Sequence, residues 1–209
     1  MLPPVDVVRG SASEKSVLCW EAGYNDTILR GKEHLNAMTR YVRDNPHRLW
    51  EKRQCPEFFT LHRNLKIGGT TFMTMGNRHL LDYPLKVQVQ CSRHATHEEI
   101  EALARKILLM AASGHVVVSP AISRGEKLVM RRVFDAGFRT IIVVGKSLSP
   151  LEKPQGRQFE ACVEGRLLLV ALCDNSTSEK KLTRRQCLSL NALAQAITTR
   201  PAASPMGNA

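Results

Sequence analysis

With 209 residues, 43% of them hydrophobic, the chain can bury one full core with a smaller piece beside it, since domains run to about 100–200 residues. Its formal net charge of +11 draws polyanions by diffuse electrostatics, which puts nucleic acid first among the expected partners. The six cysteines fall without a CxxC pair, so neither a zinc site nor a disulfide framework is indicated, and no apolar run approaches the roughly 18 residues of a membrane span; reduced thiols, no membrane partner and a cytoplasmic location are expected.

Residues 1–15 mix Pro, Gly, Ser and charges without periodicity, and residues 200–209 are of similar character; both are expected to be disordered tails. Between Lys32 and Asn45 the apolar residues Leu35, Met38 and Val42 recur at helical spacing, and Pro46 is expected to end that helix because it lacks an N–H and clashes with the preceding turn. Tyr41 and Asn45 lie four apart and share a face. Residues 16–66 are read as a helical segment. From 67 to 84 the signals Gly68-Gly69, Gly76-Asn77 and Asp82-Tyr83-Pro84 suggest a linker.

Residues 85–199 alternate. A β-rich run from Lys86 to Gln90 precedes Thr96-His97-Glu98-Glu99, a capping box, and a stripe of Ile100, Leu103, Ala104, Ile107, Leu108 and Ala111 closed by Gly114. Strand Val116–Val118, helix Glu126–Ala136, strand Thr140–Val144, helix Gln158–Glu164 and strand Leu167–Leu172 follow. A last helix opens on Thr183-Arg184-Arg185-Gln186, again a capping box, with Leu190, Leu193, Ala194 and Ile197 inward. Strand-sized runs separated by crossover-length helices predict an α/β fold, Rossmann-like, with a parallel sheet covered by helices on both faces.

Ligands of such sheets gather at the carboxyl ends of the strands. Three of those ends carry small and basic residues: Ser92-Arg93 after the first, Ser119 through Arg124-Gly125 after the second, and Gly145-Lys146-Ser147 after the third. Helix-start amides, hydroxyls and a cation together make an anion site, so Ser92, Arg93, Ser119, Arg124, Gly125, Gly145, Lys146 and Ser147 are the candidate phosphate-binding residues, with the three cations expected to converge on one pocket. The same residue types are also ordinary turn and cap formers.

The loops Cys91-Ser92-Arg93, Ser119-Pro120-Ala121-Ile122-Ser123-Arg124-Gly125-Glu126 and Gly145-Lys146-Ser147 resemble those of the DprA/SMF and LOG superfamily of Rossmann-like proteins over roughly Leu85 to Cys173. The DprA branch has a Gly-Ser-Arg-like loop, then Ser-Gly-x-Ala-Arg-Gly-x-Asp, then a Gly-containing loop. This chain departs from it in Cys91 for Gly, Pro120 for Gly, one extra residue before Arg124, and Glu126. The resemblance implies a grip on single-stranded DNA; the Pro-Gly-Gly-x-Gly-Thr-x-x-Glu motif of LOG hydrolases is absent, which leaves a nucleotide-binding protein without hydrolase activity as the alternative.

The stretch Trp20 to Ile28, followed by Tyr41-Val42-Arg43-Asp44-Asn45-Pro46, resembles the C-terminal end of single-tyrosine HUH transposases, including the REP-associated type. That resemblance makes Tyr41 a conditional nucleophile toward a DNA phosphate and Asn45 a conditional metal ligand. The His-x-His pair of that family is missing from the sequence, and a tyrosine near its usual pKa of ~10 needs a metal or base to attack. No cofactor is therefore expected for the chain alone, Mg or Mn only if an HUH motif is supplied from upstream or by a partner, and the chain is not a complete nuclease by itself. Arg40, Arg43, Arg48, Lys52 and Arg53, interleaved with Tyr41 and Trp50, suit single-stranded nucleic acid, though they equally suit a solvated helix with Trp50 packed on a neighbour. A homodimer is the oligomer considered.

Overall fold

The computed structural model describes residues 31–67, 69–150, 154–173 and 182–201, without the side chains of 41, 44 and 45. The chain divides into two compact units, residues 1–45 and 46–209. In the first, the described residues begin helix α1, which spans Lys32–Gln54; the Trp20 to Ile28 stretch of the transposase resemblance and the 1–15 and 202–209 tails lie outside the described residues. α1 does not stop at Asn45, as Pro46 led one to expect, but continues to Gln54. In the second unit the reason is visible: the Arg48 guanidinium and the Lys52 ammonium sit 4.6 and 5.8 Å from the ring centre of Phe159, and Phe159 stacks on Phe59 at 5.0 Å. Cation–π contact anchors the turns of α1 that follow the proline. The break that Pro46 signals coincides instead with the division between units.

The second unit is built on a six-stranded sheet in the order β1-β2-β6-β5-β4-β3, where β1 is His62–Ile67, β2 Thr70–Gly76, β3 Lys86–Gln88, β4 Val116–Ser119, β5 Thr140–Val144 and β6 Leu167–Leu172. β3 to β6 are mutually parallel, as expected. β2 joins β6 antiparallel and β1 joins β2 antiparallel, so the sheet is mixed. This corrects the reading of 67–84 as a linker and of 16–66 as wholly helical. The Gly68-Gly69 pair lies between two paired strands, with Gly69 at φ 80°, the backbone a tight hairpin turn needs. Phe72 to Gly76 are buried, and a Cβ on Gly76 would lie 2.3 Å from the Leu167 carbonyl oxygen; that glycine admits β2 to the sheet.

Helices α2 (His97–Ala112), α3 (Arg124–Asp135), α4 (Arg157–Val163) and α5 (Arg184–Thr199) divide between the faces. Because β3, β4, β5 and β6 succeed one another in a single direction across the sheet, right-handed crossovers place α2, α3 and α4 on one side. There Val89, Val117 and Met130 pack with α2 and α3, and Leu167, Leu169 and Ala171 pack with Phe159 and Cys162 of α4. α5 returns over the other side, setting Leu190, Leu193, Ala194 and Ile197 against Phe72, Val116, Val118, Ile141, Leu168 and Val170. Alternation along each strand sends successive valines of β4 to opposite layers. Strand order never reverses among the parallel strands, so the crevice that a reversal opens in doubly wound sheets has no counterpart between them. Among the described residues no helix is long and apolar enough to cross a membrane.

Candidate nucleic-acid interface at the carboxyl edge of the sheet

The carboxyl ends of β3, β4, β5 and β6 lie at one edge and lead into α2, α3, α4 and α5. Three of those helices close their own N-termini with a capping box: Thr96 with Glu99 on α2, Ser123 with Glu126 on α3, and Thr183 with Gln186 on α5. The first and third were expected. The second was not, and it changes the site most.

Glu126 is 5% exposed, and its carboxylate takes three backbone amides. Oε2 accepts from Ile122 N at 2.7 Å and Ser123 N at 3.2 Å, while Oε1 accepts from Cys91 N at 3.3 Å across the edge. The chain's own carboxylate thus meets two amides of the β4 loop ahead of α3 and one of the β3 loop, tying the two loops together, while the Ser123 hydroxyl accepts from Glu126 N at 3.1 Å.

Neighbouring residues are fitted to this plug. Gly125 is buried because a Cβ there would stand 2.4 Å from Cys91 Sγ and 3.1 Å from Ile100 Cγ1; its role is close packing. Burial, then the Glu126 and Glu99 carboxylates, push the Cys91 thiol above its ordinary pKa, which makes it a poor nucleophile. Ser119 is fully buried; its hydroxyl donates to Val89 O at 3.3 Å and accepts from Ala121 N at 3.0 Å. Ala121 is held at φ 49°, a left-handed conformation unusual for a residue with a Cβ.

The other serines are also engaged. Ser92 Oγ accepts from His94 N at 3.2 Å within its own turn. Ser147 Oγ donates to Met73 Sδ at 3.6 Å, and Leu148 N reaches the same sulfur at 3.3 Å. Over Gly145 lies Leu182, whose Cδ2 would be 2.5 Å from a Cβ placed on that glycine. Leu182 directly precedes the Thr183 cap, so this contact also brings the start of α5 beside the end of β5.

Exposed at the edge, beside Glu98 and Glu99 of the first turn of α2, are several cations. Arg93 follows β3, Arg124 opens α3 after β4, Lys146 follows β5, and Arg184 and Arg185 open α5 after β6; all five are exposed. The Leu182–Gly145 contact sets Arg184 and Arg185 near the end of β5, at the start of a helix on the opposite face of the sheet from α2 and α3. A cavity of about 410 Å³ beside Lys146 is lined by Met75, Val144, Leu148, Pro154, Gln155, Gln158 and Leu169, and reaches neither Arg93 nor Arg124. Arg184 and Arg185 were legible beforehand only as parts of a capping box; placing them on this edge required the Leu182–Gly145 contact.

The remaining candidates are scattered. Tyr41 and Asn45 lie in α1, and their side chains are outside the described residues. Among the described residues no three His, Cys, Asp or Glu side chains gather as a metal site. His94 and His97 are exposed, with His97 3.9 Å from Glu101 along α2. Trp50 is 59% exposed, with the His47 ring 6.4 Å away along the same helix. The described cysteines are free, and burial pushes the Cys162 thiol up to about 12.

No family model and no curated protein matches the chain. Among solved structures, the chain is similar to DNA processing protein A from Helicobacter pylori, described for its single-stranded DNA binding mode, with 19% identity and a TM-score of 0.45 over 64% of this chain and 60% of that one. The HUH resemblance has no counterpart among these findings. A likeness at this level leaves the ligand to be decided by the chain's own side chains.

Proposed function

We propose that residues 46–201 bind single-stranded DNA through its phosphate backbone, laid along the carboxyl edge of the sheet. The observation that supports this reading is that exposed cations, Arg93, Arg124, Lys146, Arg184 and Arg185, stand after β3, β4 and β5 and at the start of α5, while Glu126 and Leu182 occupy space beside the loops. Several exposed cations along one edge suit an extended polyanion, which gains from each neutralised phosphate by releasing counterions. The net charge of +11 adds long-range attraction to the same partner.

The reading assigns binding and no cleavage. Attack by Tyr41 would need a His-x-His pair that the sequence lacks.

A second reading, a mononucleotide-binding protein, draws support from the cavity beside Lys146, whose volume falls within the range of small-molecule sites. Fluorescence anisotropy with a labelled single-stranded oligonucleotide at low salt separates the two. Binding is expected, weakened at least tenfold by Arg124→Ala with Arg184→Ala. An oligonucleotide that fails to bind while a mononucleotide raises the melting temperature would replace the first reading with the second.

A further inference from the structure

The last turns of α1, from Pro46 to Gln54, carry two unlike faces. One is held down: the Arg48 guanidinium and the Lys52 ammonium lie over the Phe159 ring, and Glu51, between them in sequence, is half-buried. Phe159 stands in the first turn of α4 and shares a core cluster with Leu148 of the loop after β5. Because α4 begins after the carboxyl end of β5, these turns of α1 are fastened near the end of the sheet that carries the exposed cations.

Residues three and four apart share a helix face, so His47, Trp50, Arg53 and Gln54 lie on the opposite face, and all four are exposed. Trp50 is 59% exposed, while every other Phe, Tyr or Trp side chain among the described residues is buried or half-buried. The His47 ring lies 6.4 Å from the indole, tilted by 34°, and His47 Nδ1 is 3.5 Å from the Glu51 carboxylate. Leu49 adjoins them, half exposed. Arg48, Lys52 and Arg53 outweigh Glu51, the one carboxylate of these turns. An exposed ring set among cations is the combination from which single-strand sites are made, since bases stack on the aromatic face while phosphates meet the cations.

We infer that Trp50 is a stacking platform for an unpaired base, with Arg53 beside it to meet a phosphate, and that this face of α1 extends the proposed DNA interface. The inference rests on the single-strand reading and deepens it: a duplex keeps its bases stacked and paired, so only an unpaired strand offers a ring to the indole. Charge selects this occupant over a second copy of the chain. Two copies joined through this face would bring Arg53 and its neighbouring cations together on chains that each carry +11, whereas a polyanion is drawn to them. The cations supply salt-dependent affinity, and Trp50 supplies preference for strands that carry bases.

The test uses the full chain with Trp20→Phe, which leaves Trp50 as the single tryptophan. Oligothymidylate and an abasic sugar-phosphate strand of equal length are titrated at low salt, with binding read by the anisotropy of a label on the strand and stacking read by Trp50 emission. Oligothymidylate is expected to bind roughly tenfold more tightly than the abasic strand, the scale of one base stacked on an aromatic ring, and it alone should quench Trp50. Trp50→Ala should bring the two affinities together while leaving the abasic strand's affinity and salt dependence intact, whereas Trp50→Phe should keep most of the preference. Binding of oligothymidylate with Trp50 emission unchanged, or a preference untouched by Trp50→Ala, overturns the platform and leaves the cations of the edge in place. Trp50 emission that shifts with protein concentration before any strand is added assigns the face to a second copy and also overturns the platform. If neither strand binds, the single-strand reading and the platform fall together.

Discussion

Replacing Glu126 by alanine tests whether the carboxylate seals the edge from within. Three amides lose their acceptor: Ile122 and Ser123, which share Oε2, and Cys91, which is met by Oε1. A hydrogen bond to a charged group contributes roughly 1.5–3 kcal/mol, but the Cys91 contact is long and water can reach the partly exposed ends of the loops. The expected loss is therefore about 3 kcal/mol rather than the full sum. Glu126→Gln should cost less, about 1–2 kcal/mol, because its one carbonyl oxygen can still serve Ile122 and Ser123 while its amide opposes the Cys91 donor. Urea unfolding read by circular dichroism gives both values, with the slope expected to stay constant. Alanine should also free the loop donors for an outside anion, so sulfate at matched ionic strength should stabilise the alanine variant more than the native chain. A loss below about 1 kcal/mol together with no sulfate effect would refute the claim that Glu126 occupies the site.

Other consequences follow from the same loops and core. Ala121→Gly should stabilise the chain by about 0.5–1 kcal/mol, because relief of the left-handed backbone at φ 49° exceeds the added freedom of the unfolded glycine; a lower midpoint in urea would contradict this. Gly125→Ala should cost about 1–3 kcal/mol by overpacking, and Cys91→Gly should recover most of it, since the new methyl meets Cys91 first; additive losses in a double-mutant cycle would refute the contact. Burial raises Cys162 to about 12, so its contribution is fully present below the unfolded thiol pKa of ~8.5 and lost as pH rises toward the folded value. The stability gap between the native chain and Cys162→Ala should thus shrink by up to about 1.4 kcal/mol per pH unit above that point, whereas a gap independent of pH would show that the thiol is not buried in the folded chain.

The alternating core was legible because its signals are local. All-apolar runs such as Val116–Val118 and Leu167–Leu172, and boxes such as Thr96 to Glu99, name their elements without knowledge of the rest. β2 was missed for the opposite reason: Thr70 to Gly76 carries three threonines without alternation, follows Gly69 and ends on Gly76, and only pairing with β6, almost a hundred residues away, makes it a buried strand. Glu126 was visible three residues after Ser123, the spacing of a capping box, but its bond to Cys91 belongs to tertiary structure. The cations Arg93, Arg124 and Lys146 were legible from loop chemistry as residues following β3, β4 and β5, and all three are exposed. That Arg184 and Arg185 stand near the end of β5 follows only from the packing of Leu182 on Gly145, a contact between residues far apart in the chain.

The salt dependence of single-strand binding tests the cations of the edge most directly. If Arg93, Arg124, Lys146 and Arg184 each meet a phosphate, replacing all four by alanine should reduce the slope of log affinity against log salt by about 2.8, at about 0.7 per contact. A slope unchanged by the four substitutions would place the bound strand elsewhere on the chain.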